Sequence, residues 1–375
     1  MKGYYLFAPV EPACVGPESG VERKVRAQHR ALSQHLDCEL VIREPVTYTQ
    51  TIAERIRRRL PFTAAWRRWA YHGEFDDADF LYIHQVYHDR AFVRYLRAIK
   101  KANPRVKIIY EVPTWPYLAE TKPSLSKLPF DLKERLNAPR AAKLCDRIVT
   151  FYGQDRIWDT SCIKLLNGYD FGQVTLPKRT LGDTVHVLSV AANAFWHGYD
   201  RFLEGLGRYY ENGGTEDIHY HLVGDILPEY RALVEKYRLQ GHVTLHGRLY
   251  GEELARLYRK CTLGIDILGG HRKDYPVSST LKSREYGAWG VPLVTSSPVD
   301  FMEPDCPWQL LVPYDDSPVD IPAVLAYHHQ IYADSDPDAV AGAIRSFSME
   351  HCDMSVTMAP VAQWLTGHPD HPEER

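Results

Sequence analysis

Short apolar runs alternate with helix-length amphipathic stretches along this chain, and the alternation starts afresh once. Strand-like runs fall at 4–8, 40–42, 80–83, 106–110, 147–151 and 163–166, with helical stretches at 21–36, 92–102 and 132–144 between them. After a polar stretch at 176–184, strands recur at 185–190, 219–223, 243–245, 263–267 and 292–295. Helices there fall at 199–211, 228–239, 252–261 and 282–289. Strands separated by helices of this length cannot be hairpins, so each series predicts a parallel sheet with right-handed crossovers. The expected organisation is an α/β domain over 1–175, a second over 176–345, a linker near 171–184, and a C-terminal helix and tail over 346–375. The closing GHPDHPEER reads as disordered from its composition. Each sheet offers a crevice at its strand C-termini, and two such crevices face to face make a cleft suited to a phosphorylated ligand.

Charge divides the chain more sharply than its net value of −3 suggests. Residues 1–180 hold 30 Lys and Arg against 20 Asp and Glu, and the remainder holds 15 against 28. That asymmetry directs the first half toward something anionic. Within it, 52–69 interleaves Arg55, Arg57, Arg58, Arg59, Arg67 and Arg68 with Ile56, Leu60, Phe62, Trp66 and Trp69. Basic residues beside aromatics suit a helix lying on an anionic membrane surface, each worth about 1 kcal/mol there. A plain basic surface helix and a nucleic-acid patch are the alternatives; no nucleic-acid module is seen, so no nucleic-acid partner is expected. No run of about 18 apolar residues is present, so no spanning helix is expected. The opening MKGYYLFAPVEPAC reads as a strand rather than a secretory signal. The seven Cys, at 14, 38, 145, 162, 261, 306 and 352, are scattered with no C-x-x-C, which points to free thiols in a reducing compartment. The expectation is a cytoplasmic protein, peripheral at the inner face of the plasma membrane.

The chemistry concentrates in GGHRKDYPVSSTLKSREYGAWGVP, 269–292, after the strand at 263–267. His271, Arg272 and Lys273 stand in a Gly-led loop. Ser278, Ser279 and Thr280 can cap a helix beginning near Leu281. A helix N-terminus offers unpaired N–H groups and partial positive charge to an anion. Lys282 and Glu285, three apart, share a face of that helix. A carboxylate one turn in can accept from both hydroxyls of a ribose. The alternative is a solvated Lys282–Glu285 pair worth about 0.2–0.5 kcal/mol.

These residues resemble the donor-site helix of GT-B-fold retaining glycosyltransferases, the group called glycosyltransferase family 4, and in particular its capsule and exopolysaccharide branch. There a strand is followed by H-R-K and then L-K-S-R-E-Y-x-A-x-G-x-P. The resemblance implies two Rossmann-like domains facing across a cleft, with a C-terminal helix crossing back to the first. It implies that Glu285 holds the donor ribose. The wider family carries another Glu eight residues earlier, where this chain has Val277. Elsewhere, Gly16-Pro17-Glu18-Ser19-Gly20-Val21-Glu22-Arg23-Lys24 resembles the N-terminal Gly-rich loop, which brings Gly20 and Lys24 to donor and acceptor. Trp196-His197-Gly198-Tyr199-Asp200-Arg201 resembles the start of the second domain, with Ala192 and His197 where the family has an Arg and a Lys for the pyrophosphate. Asn167-Gly168-Tyr169-Asp170 resembles the turn closing the first domain. Gly224-Asp225 and His246-Gly247-Arg248 end two strands where the family meets the nucleobase. Glu111-Val112-Pro113-Thr114-Trp115-Pro116-Tyr117 resembles the E-[IV]-P-T-[YW]-P-Y element, making Glu111 a catalytic candidate beside its reading as a structural Glu.

The implied reaction is retaining transfer of a hexose-type sugar from a nucleoside-diphosphate sugar, UDP rather than GDP, to a glycan or lipid-linked acceptor. Arg272 and Lys273 would neutralise the departing pyrophosphate, without metal or other cofactor. No D-x-D lies at a plausible strand end; Asp315-Asp316 reads as a surface turn. The same fold also serves nucleotide-sugar epimerases and non-catalytic nucleotide-sugar-binding subunits, and both stay open. Gly205-x-Gly207 lies inside a helix, and His328-His329 cannot share a helical face, so neither is read as a site.

Overall fold

The computed structural model describes residues 1–9, 19–45, 51–60, 63, 68–115, 127–151, 153–192 and 194–367, with the side chains of 54, 55 and 57 left aside. Cys14, residues 16–18 of the Gly-rich loop, Phe62, Trp66, Arg67, Pro116, Tyr117 and the 368–375 tail lie outside them. The chain forms two units. The first comprises Met1–Leu165 and the closing segment from Thr357; the second is Leu166–Val356.

The first unit runs β1 (Lys2–Phe7), α1 (Gly20–Ser33), β2 (Asp37–Ile42), α2 (Ile52–Arg59), β3 (Phe80–Ile83), α3 (Arg90–Ala102), β4 (Lys107–Val112), α4 (Leu128–Ala142), β5 (Arg147–Thr150), β6 (Arg156–Ile157) and β7 (Thr160–Lys164). Its sheet has the order β2-β1-β3-β4-β5-β7-β6, parallel except for the β6–β7 hairpin. The strands are apolar on both faces because helices cover both: Leu81, Ile83, Ile108, Tyr110 and Ile148 meet Phe92, Leu96 and Ile99 of α3 in one core.

The second unit runs β8 (Thr184–Ala191), α5 (Tyr199–Glu211), β9 (Asp217–Gly224), α6 (Pro228–Lys236), β10 (Val243–Gly247), α7 (Gly251–Lys260), β11 (Leu263–Ile265), α8 (Leu281–Ala288), β12 (Leu293–Thr295), β13 (Gln309–Leu311), α9 (Ile321–Tyr332) and α10 (Pro337–Cys352). Its six strands are parallel, in the order β10-β9-β8-β11-β12-β13. The last helix, α11 (Met354–Thr366), hands its residues from Thr357 to the first unit. There Lys107 Nζ donates to Leu365 O at 2.9 Å, and Lys107 and Arg147 flank the Trp364 ring.

The units therefore divide at 165/166 and 356/357, not at 175/176 and 345/346. Packing explains the difference. The 167–179 segment is tied into the second unit by a buried Arg179, which donates to the carbonyls of Cys261 (2.5 Å), Trp289 (2.6 Å) and Tyr258 (3.3 Å). Arg284 Nε donates to Asn167 O at 3.0 Å in the same unit. Helix α10 packs on α8, with Ala341 against Gly290 and Ser348 against Gly287. The described residues contain no helix long and apolar enough to cross a membrane.

The stretch at 52–69 is not one interfacial helix. Helix α2 ends at Arg59, while Trp69 tilts against Phe92 and Tyr95 at 4.8 and 5.1 Å between centroids. Arg68 donates to Pro9 O at 2.7 Å and Glu44 O at 3.2 Å, and burial lowers its pKa to about 10. An aromatic and a guanidinium at the end of the stretch pack into the first unit; among the described residues of the stretch, the large exposed apolar side chains are those of Ile52, Ile56 and Leu60.

Candidate functional site

In the second sheet the chain winds outward from β8 to one side through β9 and β10, and to the other through β11 and β12. The topological switch therefore lies between β8 and β11, where open α/β sheets bind ligands. Two loops emerge at that crevice: 192–198 after β8 and 266–280 after β11.

Asp266 organises the second loop. Its carboxylate is fully buried, accepting from Ser278 Oγ at 2.5 Å and Thr280 Oγ1 at 2.7 Å. Lys282 Nζ lies 3.6 Å from it and donates to Tyr199 Oη at 3.0 Å. Thr280 is the N-cap of α8, its hydroxyl accepting from Ser283 N at 3.3 Å. Ser279 N donates to the Tyr275 hydroxyl at 3.0 Å, and Ser279 O accepts from Asn167 Nδ2 at 2.8 Å. Leu281 is exposed. The α8 N-terminus is thus fixed from beneath by a carboxylate while its first N–H groups stay available.

Lys282 is buried, and its nearest carboxylate is Asp266 rather than Glu285; a solvated Lys282–Glu285 pair is not what forms. Burial pulls the Lys282 ammonium down to about 8, against Asp266, which favours the charge. Glu285 is half-buried and lies 3.5 Å from the Tyr169 hydroxyl.

Arg272 is placed differently from the sequence expectation of a cation presented to phosphate. It forks onto Asp200 at 2.8 and 2.7 Å, and also reaches Asp316 at 2.7 Å and Phe195 O at 2.8 Å. Two carboxylates already offset its charge, so its work is to clasp the two crevice loops together. Asp316, expected as a surface turn, is part of that clasp and accepts His271 Nε2 at 3.0 Å. Lys273 is exposed, 4.8 Å over the Trp196 ring.

His197 stacks between Trp196 (3.9 Å) and Tyr199 (5.5 Å), and its Nδ1 accepts from Ala194 N at 2.9 Å. That leaves the ring proton on Nε2. Burial first, then the neighbouring Lys282, keeps the ring neutral by lowering its pKa. Gly198 (φ 72°) and Gly269 let the two loops touch, sealed by Leu268 N to His197 O at 2.8 Å. Gly224 (φ 126°) ends β9, and Arg248, which follows β10 directly, forks onto Asp225 at 2.7 and 2.8 Å.

The first unit has its own cluster. Its switch lies between β1 and β3, and the helix after β1 begins at Gly20 under a Ser19 cap. Lys24 and His84 both stand 3.4 Å from Oε1 of Glu111, while Gln28 Nε2 (2.9 Å) and Tyr82 Oη (2.5 Å) donate to Oε2. Burial alone would raise the Glu111 carboxyl, but Lys24 and His84 outweigh it and hold it below the ordinary carboxylate range. Glu111 is fully buried and His84 is buried beside it, while Lys24 is only partly buried. His84, Gln28, Tyr82 and Asp266 were not picked out from sequence. Asp266 carried a signal, since an acid inside the apolar run Leu-Gly-Ile-Asp-Ile must be paired. His84 follows a strand directly, but nothing local marks it.

Among the described residues, no group of His, Cys, Asp or Glu is arranged to hold a metal. A prediction follows from Lys282. Its ammonium is mostly charged below about pH 8 and mostly neutral above, so if it faces a diphosphate, UDP affinity should fall about fivefold between pH 8 and 9. Titration calorimetry on wild type and Lys282→Gln would test this; a pH dependence that survives in the variant would remove Lys282 from the site.

No protein-family model and no curated protein sequence matches the chain. Solved structures do. A sucrose-phosphate synthase from Thermosynechococcus elongatus matches at TM-score 0.60 and 13% identity, over 98% of this chain and 100% of that one. HepE of Anabaena, solved with UDP and glucose, matches at 0.60 and 12%, over 98% and 100%. An alpha-glucosyltransferase solved with UDP-glucose and DNA containing an abasic site matches at 0.62 and 13%, over 97% and 99%. At these identities the likeness is one of fold: the chain has the two-unit, doubly wound α/β architecture of these glycosyltransferases, with the expected GT-B pair of parallel sheets and a final helix that returns to the first unit.

Proposed function

We propose that the chain is a glycosyltransferase that takes a hexose-type sugar from a nucleoside-diphosphate donor, UDP in preference to GDP, and transfers it with retention to a glycan or lipid-linked acceptor in surface polysaccharide synthesis. The observation that carries this reading is the Asp266 knot. One buried carboxylate sets Ser278, Thr280 and Lys282, and so brings a capped helix start and a buried ammonium to the switch of the second sheet. That is anion-binding apparatus aimed at a position where charge develops as the glycosidic bond breaks. The fold shared with glycosyltransferases, one of them solved with UDP and glucose and another with UDP-glucose, supports the same reading.

In this reading Lys282, Lys273 and the first N–H groups of α8 neutralise the departing diphosphate. His197 Nε2–H donates to one of its oxygens, and Arg272 acts one step back by holding the loops. Glu285 accepts from the donor ribose. The transfer is a same-face attack through an oxocarbenium-like state, with no metal required. Lys24 and His84, ordered by Glu111, serve the acceptor side. A cytoplasmic location at an anionic membrane surface fits the charge excess of residues 1–180 and the exposed Ile52 and Ile56 of α2 with Leu60 just beyond it.

The test is a thermal shift with UDP and GDP. UDP at about a hundred times its Kd should raise the melting temperature of wild type by about 5–10 °C, and that of Glu285→Ala much less. Equal shifts in the two proteins would remove Glu285 from the ribose. No shift with any nucleoside diphosphate would overturn the donor reading.

A further inference from the structure

The first half of helix α4 is inside out. Lys133, Glu134 and Asn137 are buried while Leu128, Leu132 and Leu136 face solvent, 61%, 46% and 37% exposed; the second half buries Ala138, Ala141 and Ala142 in the ordinary way. These leucines are four apart and so form one stripe, and the next position along it is Arg140. Helix α2 presents a second stripe, the pair Ile52 and Ile56, with Leu60 directly after its end, all exposed. The two helices are joined: Lys133 Nζ donates to Arg58 O and to Thr63 Oγ1 at 3.3 Å, and the Arg58 guanidinium lies over the Phe130 ring at 5.8 Å.

At the end of the leucine stripe a cavity of about 390 Å³ opens between α3 and α4, lined by Arg90, Arg94, Arg97 and Arg140 with Leu136 and Asn137. Arg90, Arg94 and Arg97 share a face of α3. Among the described residues none of the four arginines is hydrogen-bonded or ion-paired. Nearby acids are engaged elsewhere: Asp89 caps α3 through Ala91 N and Phe92 N, and Glu134 accepts from His88 N at 2.7 Å. Four like charges around one cavity repel one another, and among the described residues no carboxylate is ion-paired with any of them. An aliphatic stripe running into such a cavity matches an amphiphile with an anionic head.

We propose that this face of the first unit seats on an anionic phospholipid bilayer, with a headgroup phosphate held by Arg90, Arg94, Arg97 and Arg140 and the two aliphatic stripes in the acyl boundary. The inference rests on the membrane reading above and gives it a site, independent of the donor site. The four arginines supply the charge-assisted hydrogen bonds a phosphate needs, and the aliphatic stripes supply the buried apolar area that anchors an interfacial helix.

Flotation of the full chain with two vesicle preparations tests this, one of phosphatidylcholine alone and one with a third phosphatidylglycerol. Wild type should float with the second and not the first. Arg94→Glu/Arg97→Glu should lower the bound fraction at least tenfold at unchanged melting temperature, and Leu132→Ser should lower it in either salt or buffer alone. Equal flotation of wild type and the arginine variant would overturn the pocket and leave the membrane reading standing. A wild type that floats with neither preparation would overturn both, while a UDP thermal shift would still report the donor site intact. Capture of a short DNA duplex instead of vesicles, with the same arginine dependence, would also overturn the proposal.

Discussion

Asp266→Ala is expected to cost the second unit about 3–5 kcal/mol and to abolish UDP binding. The carboxylate is fully buried, and it is the only anion within ion-pair distance of Lys282 among the described residues. Removing it strands an ammonium that burial already disfavours, and frees the Ser278 and Thr280 hydroxyls from the acceptor that orders the α8 cap. Losing the cap interaction adds about 1 kcal/mol. The double variant Asp266→Ala/Lys282→Met separates charge from packing. With the stranded ammonium gone, most of the lost stability should return, because an apolar pair can replace a buried ion pair nearly neutrally. UDP binding should not return, since the cation is gone as well. Chemical denaturation followed by tryptophan fluorescence measures the first effect and calorimetry the second. A single variant as stable as wild type would mean that Lys282 is not balanced by Asp266.

How far the sequence reaches is visible in these residues. The alternation of apolar runs and amphipathic stretches located most of the strands and helices, because periodicity reports burial directly. It missed the two-residue β6, β13, which begins with a Gln rather than an apolar residue, and α9, whose Pro and His residues blur its period. The boundary at 165/166 was illegible because it is set by Arg179 and Arg284 reaching distant carbonyls, and no local pattern encodes those partners. In the site, Thr280 as cap and Leu281 as helix start follow from local chemistry and were legible. The partners of Arg272 were not. A cation in a Gly-led loop looks like a ligand group until Asp200 and Asp316, 72 and 44 residues away, are seen to take it. The exposed stripe of α4 shows the converse. Its apolar spacing is readable, but sequence alone assigns such a stripe to the core, and only the fold shows it facing out.

Gly198→Ala is expected to weaken UDP binding about a hundredfold, since a misplacement near 1 Å at a site costs about that much. Gly198 has φ 72°, where an L side chain costs about 1–2 kcal/mol. A Cβ there would also lie 2.3 Å from Gly269 N and 2.6 Å from Leu268 C, both backbone atoms that cannot swing aside. The loop carrying Trp196 and His197 must then part from the loop carrying Arg272 and Lys273, breaking the Leu268 N to His197 O bond between them. Gly213→Ala is the matched control. Its φ of 83° imposes the same backbone strain, but a Cβ there meets nothing within 4 Å. It should lower stability by about 1–2 kcal/mol and leave the UDP Kd unchanged. The contrast isolates loop contact from backbone strain. If both variants bind UDP as wild type does, the crevice between β8 and β11 is not where the nucleotide goes, however well its residues are arranged for one.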